Sequence, residues 1–172
     1  WNGDMKGRKG STDEGGVRSP LLVQWPGTIA AGKQIPQIAS APDLLPTLTE
    51  LAGIERGETK PLDGRSLAPL LLEKEPEWPD RLLINHWRGK TSVRSQRFRL
   101  DHAGNLFDMV TDPGQQRDVS AAFPDERERM IAVQAAFDSG PLTELPATDT
   151  RPCLIGHPDF DYFQLPARDL VA

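Results

Sequence analysis

The chain contains little of what redox sites, disulfide-stapled folds or membrane spans require. Cys153 is the single cysteine among 172 residues, so an internal disulfide is excluded. No apolar run approaches the roughly 18 residues of a membrane-spanning helix, and we predict none. The three histidines and the carboxylates show no metal-ligand spacing, which predicts no metal site within the chain. A net charge of −5 argues against general nucleic-acid binding.

The most informative segment is a basic, glycine-rich stretch over residues 6–20, KGRKGSTDEGGVRSP. It is not a phosphate-binding P-loop, because the order is Lys9-Gly10-Ser11 and the stretch precedes an apolar run with the composition of a strand. A basic glycine loop without further context is usually an exposed turn with solvated charges. A lysine on such a loop can also face an anion, because glycine allows close approach of the backbone.

The order of residues from Lys9 to Pro20 resembles the second signature region of the sulfatases, the type I, formylglycine-dependent, alkaline-phosphatase-like enzymes. Asp13 and Ser19 depart from the usual pattern of that region. Three later segments resemble successive parts of the same family in the same order: residues 42–53, residues 62–67 and residues 105–113. Roughly residues 1–138 thus resemble the carboxyl-terminal part of a sulfatase.

This resemblance implies an α/β fold: a fragment of a sulfatase-like α/β core followed by a small C-terminal antiparallel sheet packed on a helix. We predict that residues 1–75 end the catalytic α/β domain, residues 80–138 form a small α+β subdomain, and residues 139–172 form a loop-rich tail. The 16 prolines and 15 glycines agree with many turns. The family also suggests a periplasmic or secreted location.

The resemblance also implies site residues. A lysine at the position of Lys9 contacts the sulfate oxygens, so Lys9 is the candidate catalytic residue, and Glu14 and Arg18 are candidates for its support. The family's formylglycine and its Ca²⁺, or another divalent metal, are expected from an upstream part of the protein. The nucleophile motif C/S-x-P-x-R and the acidic metal-binding pairs are not found in this sequence. We therefore expect the isolated chain to be inactive.

Six basic residues and no acidic residue occur between Arg81 and Leu100. This basic strip could attract an anionic substrate, or it could be a strand with solvated charges on one face. Within it, His86 and Arg88 are candidate substrate-binding residues. The alternative for His86 is an ordinary, partly buried and hydrogen-bonded histidine.

Hydrophobic periodicity and turn residues place the elements. We predict a loop over residues 1–20, a buried strand over 21–25, helices over 43–52, 66–72 and 124–137, a linker over 73–79, strands over 82–87, 91–95, 98–101 and 106–109, and a possible edge strand over 153–155. Gly53 should end the first long helix, and a hairpin turn should lie at residues 103–105. The apolar stripe of the last helix should be formed by Met130, Val133, Ala136 and Phe137.

Three functions are compatible with these features. The first is the C-terminal portion of an enzyme that hydrolyses sulfate esters of a small molecule or glycan, together with an upstream catalytic domain of the same protein. The second is a phosphonate or phosphate monoester hydrolase of the same superfamily. The third is a noncatalytic module that binds anionic glycans through Lys9 and the basic strip.

Overall fold

The fold consists of short helices followed by a four-stranded sheet and one long helix. The computed structural model describes residues 1–55, 57, 60–73, 78–144 and 159. The helices are α1 (Glu14–Val17), α2 (Leu44–Leu51), α3 (Ala68–Leu71) and α4 (Pro124–Ser139), and the strands are β1 (Leu83–Trp87), β2 (Lys90–Arg94), β3 (Phe98–Leu100) and β4 (Leu106–Asp108). Short 3-10 turns occupy Ala41–Asp43 and Pro141–Glu144.

The sheet is an antiparallel meander in the order β1-β2-β3-β4. Its core cluster contains Val93, Phe98, Leu100, Leu106 and Met130, and three of these strand residues and Met130 are fully buried. Helix α4 supplies Met130 and covers one face of the sheet. Full burial of an apolar side chain stabilises a fold by about 1.5–3 kcal/mol, so this cluster holds the sheet and helix together.

The sequence predicted the four strands and α4 well. Each strand lies within one or two residues of its predicted range, and β3 pairs with β4 through a turn in which Gly104 has a φ of 83°. Helix α4 ends two residues later than predicted. Its stripe needs one correction: Ala136 is exposed, and Ile131 packs against the core instead. The α/β fold with a small antiparallel sheet packed on a helix is therefore confirmed.

The predicted strand over residues 21–25 is wrong. The segment has no regular secondary structure, and Leu21, Leu22, Val23 and Trp25 are 52%, 91%, 45% and 42% exposed. Among the described residues no strand lies beside it, and an extended segment becomes a strand only when a neighbour satisfies its backbone groups. The predicted loop over residues 1–20 also needs correction, because residues 14–17 form α1.

Helices α2 and α3 lie close to their predicted positions. Gly53 follows α2 with a φ of 64°, as expected of the residue that ends a helix. The Ser66 hydroxyl accepts a hydrogen bond from the Ala68 amide at 3.2 Å at the start of α3. Leu67, Leu70 and Leu71 then form a second buried cluster. The division into domains at residues 75–80 stays a prediction.

Asp43 holds the beginning of α2 to distant parts of the chain. Its buried carboxylate accepts hydrogen bonds from the backbone amides of Ser40 at 2.7 Å and Arg65 at 2.8 Å, and from the Arg81 guanidinium at 2.6 Å. Burial by itself raises the pKa of Asp43, but the hydrogen bonds from Arg81, Arg65 and Ser40 outweigh it and hold the pKa below its ordinary value. The Asp43 side chain therefore bonds to Ser40 in the preceding turn and makes no capping hydrogen bond to the backbone of α2.

Replacing Asp43 should produce a pH-dependent loss of stability. We expect Asp43→Asn to lower the free energy of unfolding by about 1–3 kcal/mol near neutral pH, because Arg81 loses a charged partner. Since the pKa is lower in the folded state, the carboxylate stabilises the fold above its ordinary pKa of about 3.9, and this contribution is lost as the pH falls through the folded value. Urea unfolding at several pH values should show that the difference in free energy of unfolding between the wild type and the variant becomes smaller in acid. A difference that grows in acid would contradict this role of the Asp43 carboxylate.

Three predicted features lie wholly or partly outside the described residues. They are residues 74–77 of the predicted linker, the possible edge strand over residues 153–155, and most of the loop-rich tail over residues 139–172, of which only residues 139–144 and 159 are described. In the part of the chain that the structure describes, no helix has both the length and the apolarity needed to cross a membrane.

Candidate functional site

The basic glycine-rich loop folds back on itself. The Gly15 amide donates to the Lys6 carbonyl at 2.8 Å, and the Ser11 amide donates to the Arg8 carbonyl at 2.9 Å. A Cβ built on Gly16 would lie 2.2 Å from the Ser11 carbonyl oxygen, which is closer than any side chain can approach. Glycine at this position is therefore required by the close packing of one part of the loop on another.

Glu14 anchors the loop to the sheet. Its side chain is buried, and one carboxylate oxygen accepts hydrogen bonds from Arg99 Nη2 at 2.8 Å and Nε at 3.0 Å. Arg94 Nε approaches the same oxygen at 3.4 Å. Arg18 also forms an ion pair with Glu14, at 3.6 Å, but the Arg18 side chain is 63% exposed. The buried support of the loop thus comes from Arg94 and Arg99, two residues that are not among the predicted site residues.

The backbone around Glu14 is fixed as well. The Thr12 carbonyl accepts hydrogen bonds from the Ser92 hydroxyl at 2.8 Å and from Arg99 Nη1 at 2.9 Å. The Glu14 amide donates to the Gln115 side-chain oxygen at 2.9 Å. Burial lowers the pKa of Arg99, and the attraction of Glu14 opposes this, so the guanidinium stays charged. One feature of the sequence indicates this anchor. The segment from Arg81 to Leu100 contains no acidic residue, so a buried base on β2 or β3 must pair with a carboxylate from a distant part of the chain.

Lys9 and Lys6 differ in their surroundings. Lys6 Nζ lies 3.5 Å from Asp13, 3.6 Å from Asp101 and 5.0 Å from the centre of the Phe107 ring. Lys9 is exposed and forms no ion pair within the described residues. The Lys9 ammonium group is therefore exposed and without an ion-pair partner among the described residues, while Lys6 is held by the protein.

The two faces of β1 and β2 have different neighbours. Ser92 and Arg94 contact the loop, and alternation along the strands places Trp87 and Lys90 on that same face. A Cβ built on Gly10 would lie 3.7 Å from the Trp87 indole nitrogen, so the end of β1 lies against the residue that follows Lys9.

His86 faces the other side of the sheet, toward α4. Its Nδ1 lies 2.9 Å from the Thr91 hydroxyl, which donates to the Asp138 carboxylate, so Nδ1 is the donor to Thr91. Its ring is also 6.2 Å from the Phe137 ring. The structure therefore does not bring His86 together with Lys9, and substrate contact by His86 stays a prediction.

Arg88 lies at the turn between β1 and β2. Its backbone has a φ of 47°, and its guanidinium lies 5.6 Å from the centre of the Trp87 ring. Because Trp87 contacts the loop at Gly10, Arg88 and the loop carrying Lys9 belong to one region of the surface. The described residues contain no group of three or more His, Cys, Asp or Glu side chains able to hold a metal ion.

The chain is similar to known proteins over most of its length. The family model described as "N-sulphoglucosamine sulphohydrolase, C-terminal" matches residues 9–132. Steryl-sulfatase of Mus musculus is 29% identical over 86% of this chain and 30% of its own length. Arylsulfatase A of Bos taurus is 36% identical over 66% of this chain and 28% of its own length.

A solved structure shows the same fold. The crystal structure of Ps i-CgsB superposes with a TM-score of 0.67 and 29% identity over 77% of this chain and 31% of that one. The chain thus spans less than a third of the length of these relatives. With the match over residues 9–132, the chain belongs to the sulfatases, within the N-sulphoglucosamine sulphohydrolase C-terminal family, and corresponds to the C-terminal portion of such an enzyme.

Proposed function

We propose that this chain supplies Lys9 to the sulfate-binding part of an active site that hydrolyses sulfate esters. One observation carries the proposal: an exposed lysine, without an ion-pair partner among the described residues, lies on a loop that buried Glu14 fixes to Arg99 at 2.8 Å. A solvated surface loop does not need such an anchor. A loop that must hold a cation at a defined position does.

The chemistry of sulfate-ester hydrolysis explains the value of this cation. Negative charge develops on the leaving oxygen and on the sulfuryl oxygens in the transition state. A preorganised ammonium group stabilises that charge without rearranging during the reaction. Lys9 supplies the positive charge, Glu14 holds the loop, and Arg18 adds an outer ion pair to Glu14 at 3.6 Å.

The nucleophile and the divalent metal are assigned to the part of the protein outside this chain. A formylglycine in that part would supply the nucleophile, and a bound Ca²⁺ or similar metal would supply Lewis-acid chemistry, while this chain contributes the Lys9 ammonium group. The isolated chain is accordingly inactive and needs an upstream catalytic domain of the same protein. A periplasmic or secreted location stays an expectation from the family.

Sulfate release tests the proposal. The full-length protein and the isolated chain should each be incubated with 4-nitrophenyl sulfate and a panel of sulfated sugars, and inorganic sulfate measured by ion chromatography. We expect sulfate from the full-length protein and none from the chain. Sulfate release by the purified chain would contradict the division of roles. Faster hydrolysis of 4-nitrophenyl phosphate or a phosphonate ester would favour the related phosphate-ester function instead.

A further inference from the structure

The structure divides the basic strip into paired and unpaired residues. Four of its six bases form ion pairs: Arg81 with Asp43, Arg94 and Arg99 with Glu14, and Arg97 with Asp108. Arg88 and Lys90 form none with any residue in the described ranges. The positive charge available to a ligand is therefore concentrated at the turn between β1 and β2.

The backbone of this turn is unusual for an arginine. Arg88 and Gly89 form a two-residue connection between paired residues Trp87 and Lys90, with φ values of 47° and 74°. Two positive φ angles define the type I′ turn, in which Asn-Gly is the favoured pair. An arginine with a positive φ has a strained backbone, and residues strained in this way are concentrated at binding and catalytic sites.

Trp87 adds an aromatic surface beside these cations. Its side chain is 49% exposed, it lies opposite Lys90 in the strand register, and the Arg88 guanidinium is 5.6 Å from its ring centre. Its indole nitrogen would lie 3.7 Å from a Cβ built on Gly10, the residue next to Lys9. An aromatic ring can stack on an apolar ring face of a ligand, and the two cations beside it can bind additional negative charge on the same ligand.

We propose that Trp87, Arg88 and Lys90 form a subsite that selects sulfated sugars carrying a second anionic group. The sugar ring stacks on Trp87, Arg88 and Lys90 bind the second sulfate or carboxylate, and Lys9 contacts the sulfate that is cleaved. This assignment rests on the proposed function. A neutral steroid or aryl group satisfies Trp87 but leaves both cations without a partner, so it fits the subsite less well.

Binding to two related sugars tests the subsite. The probes are D-glucosamine-2-N,6-O-disulfate and D-glucosamine-6-O-sulfate, titrated by calorimetry into the full-length protein carrying Lys9→Ala to suppress turnover. We expect the disulfate to bind about tenfold more tightly than the monosulfate at low salt, with the difference shrinking as salt screens the charges. Equal affinities would overturn the proposal.

Three variants separate the contributions. Arg88→Asn suits the turn, so it removes the guanidinium without disturbing the hairpin, and it should abolish most of the preference for the disulfate while leaving monosulfate affinity within about twofold. Trp87→Ala should weaken both sugars about fivefold, and Trp87→Phe should restore most of the loss because the flat ring returns. A retained preference in Arg88→Asn would overturn the subsite.

The controls distinguish this inference from the proposed function. Arg117→Asn removes an exposed arginine that forms no ion pair in the described part of the chain, and it should leave both affinities unchanged. If the disulfate preference depends on Arg88 but the wild-type full-length protein releases no sulfate, the subsite stands and the hydrolytic function fails. If sulfate is released and all variants bind both sugars equally well, the subsite fails and the function stands.

Discussion

Lys9→Ala should lower kcat of the full-length protein by about 10²–10³-fold, the typical effect of removing one preorganised contact to developing charge. Lys9 is exposed and makes no ion pair with a described residue, so its removal should leave the fold intact. The expected signature is a fall in kcat and kcat/KM together, because the ammonium group acts more strongly in the transition state than in the ground state. Steady-state kinetics with 4-nitrophenyl sulfate and a thermal melt of the same samples measure both properties.

Arg8→Ala is the matched control for Lys9. It removes one exposed positive charge from the neighbouring position of the same loop, and the Arg8 backbone carbonyl that binds the Ser11 amide is retained. We expect kcat to change less than about threefold, because loss of a solvated charge alters only the long-range field. Equal losses in Lys9→Ala and Arg8→Ala would show that net charge matters and not the position of Lys9. An unchanged kcat in Lys9→Ala would remove it from the catalytic residues.

Arg99→Ala should have the largest effect on stability, lowering the free energy of unfolding by about 3–5 kcal/mol. The substitution leaves the buried carboxylate of Glu14 with Arg94 at 3.4 Å as its nearest remaining partner. It also removes the Nη1 hydrogen bond to the Thr12 carbonyl. Breaking a buried pair on one side costs more than the pair itself contributes, since the remaining charge stays in the interior. Urea unfolding followed by circular dichroism measures the loss.

A solvated arginine pair provides the comparison. Arg129 pairs with Glu126 at 2.7 Å on α4, but the Arg129 side chain is 47% exposed. We expect Arg129→Ala to cost less than about 1 kcal/mol, as is usual for surface ion pairs. Similar losses for Arg99→Ala and Arg129→Ala would contradict the role of Arg99 as the buried anchor of the loop. A second check is Glu14→Gln, which should destabilise the protein and lower kcat because the Lys9 loop loses its charged anchor.

The four-stranded sheet and α4 were largely predictable, because the sequence features that specify them act locally. Alternating apolar residues, a glycine at the β3–β4 turn and acids in the first turn of α4 each act within a few residues of where they occur. The segment over residues 21–25 has an equally clear apolar pattern, yet it forms no strand. Whether such a segment becomes a strand depends on a pairing partner, and the segment itself does not encode that partner.

The sequence by itself determined the family resemblance, through the order of glycines, acid and bases around Lys9, and it predicts Lys9 as the cation for a sulfate group. Only the tertiary structure decided which bases of the strip serve the fold and which face solvent. Glu14 bonds to Arg99 across 85 residues and Arg81 bonds to Asp43 across 38, whereas Arg88 and Lys90 remain unpaired among the described residues. The physical reason is that a buried charge pairs with the opposite charge that the fold brings next to it. Local sequence patterns do not specify which distant residues become neighbours.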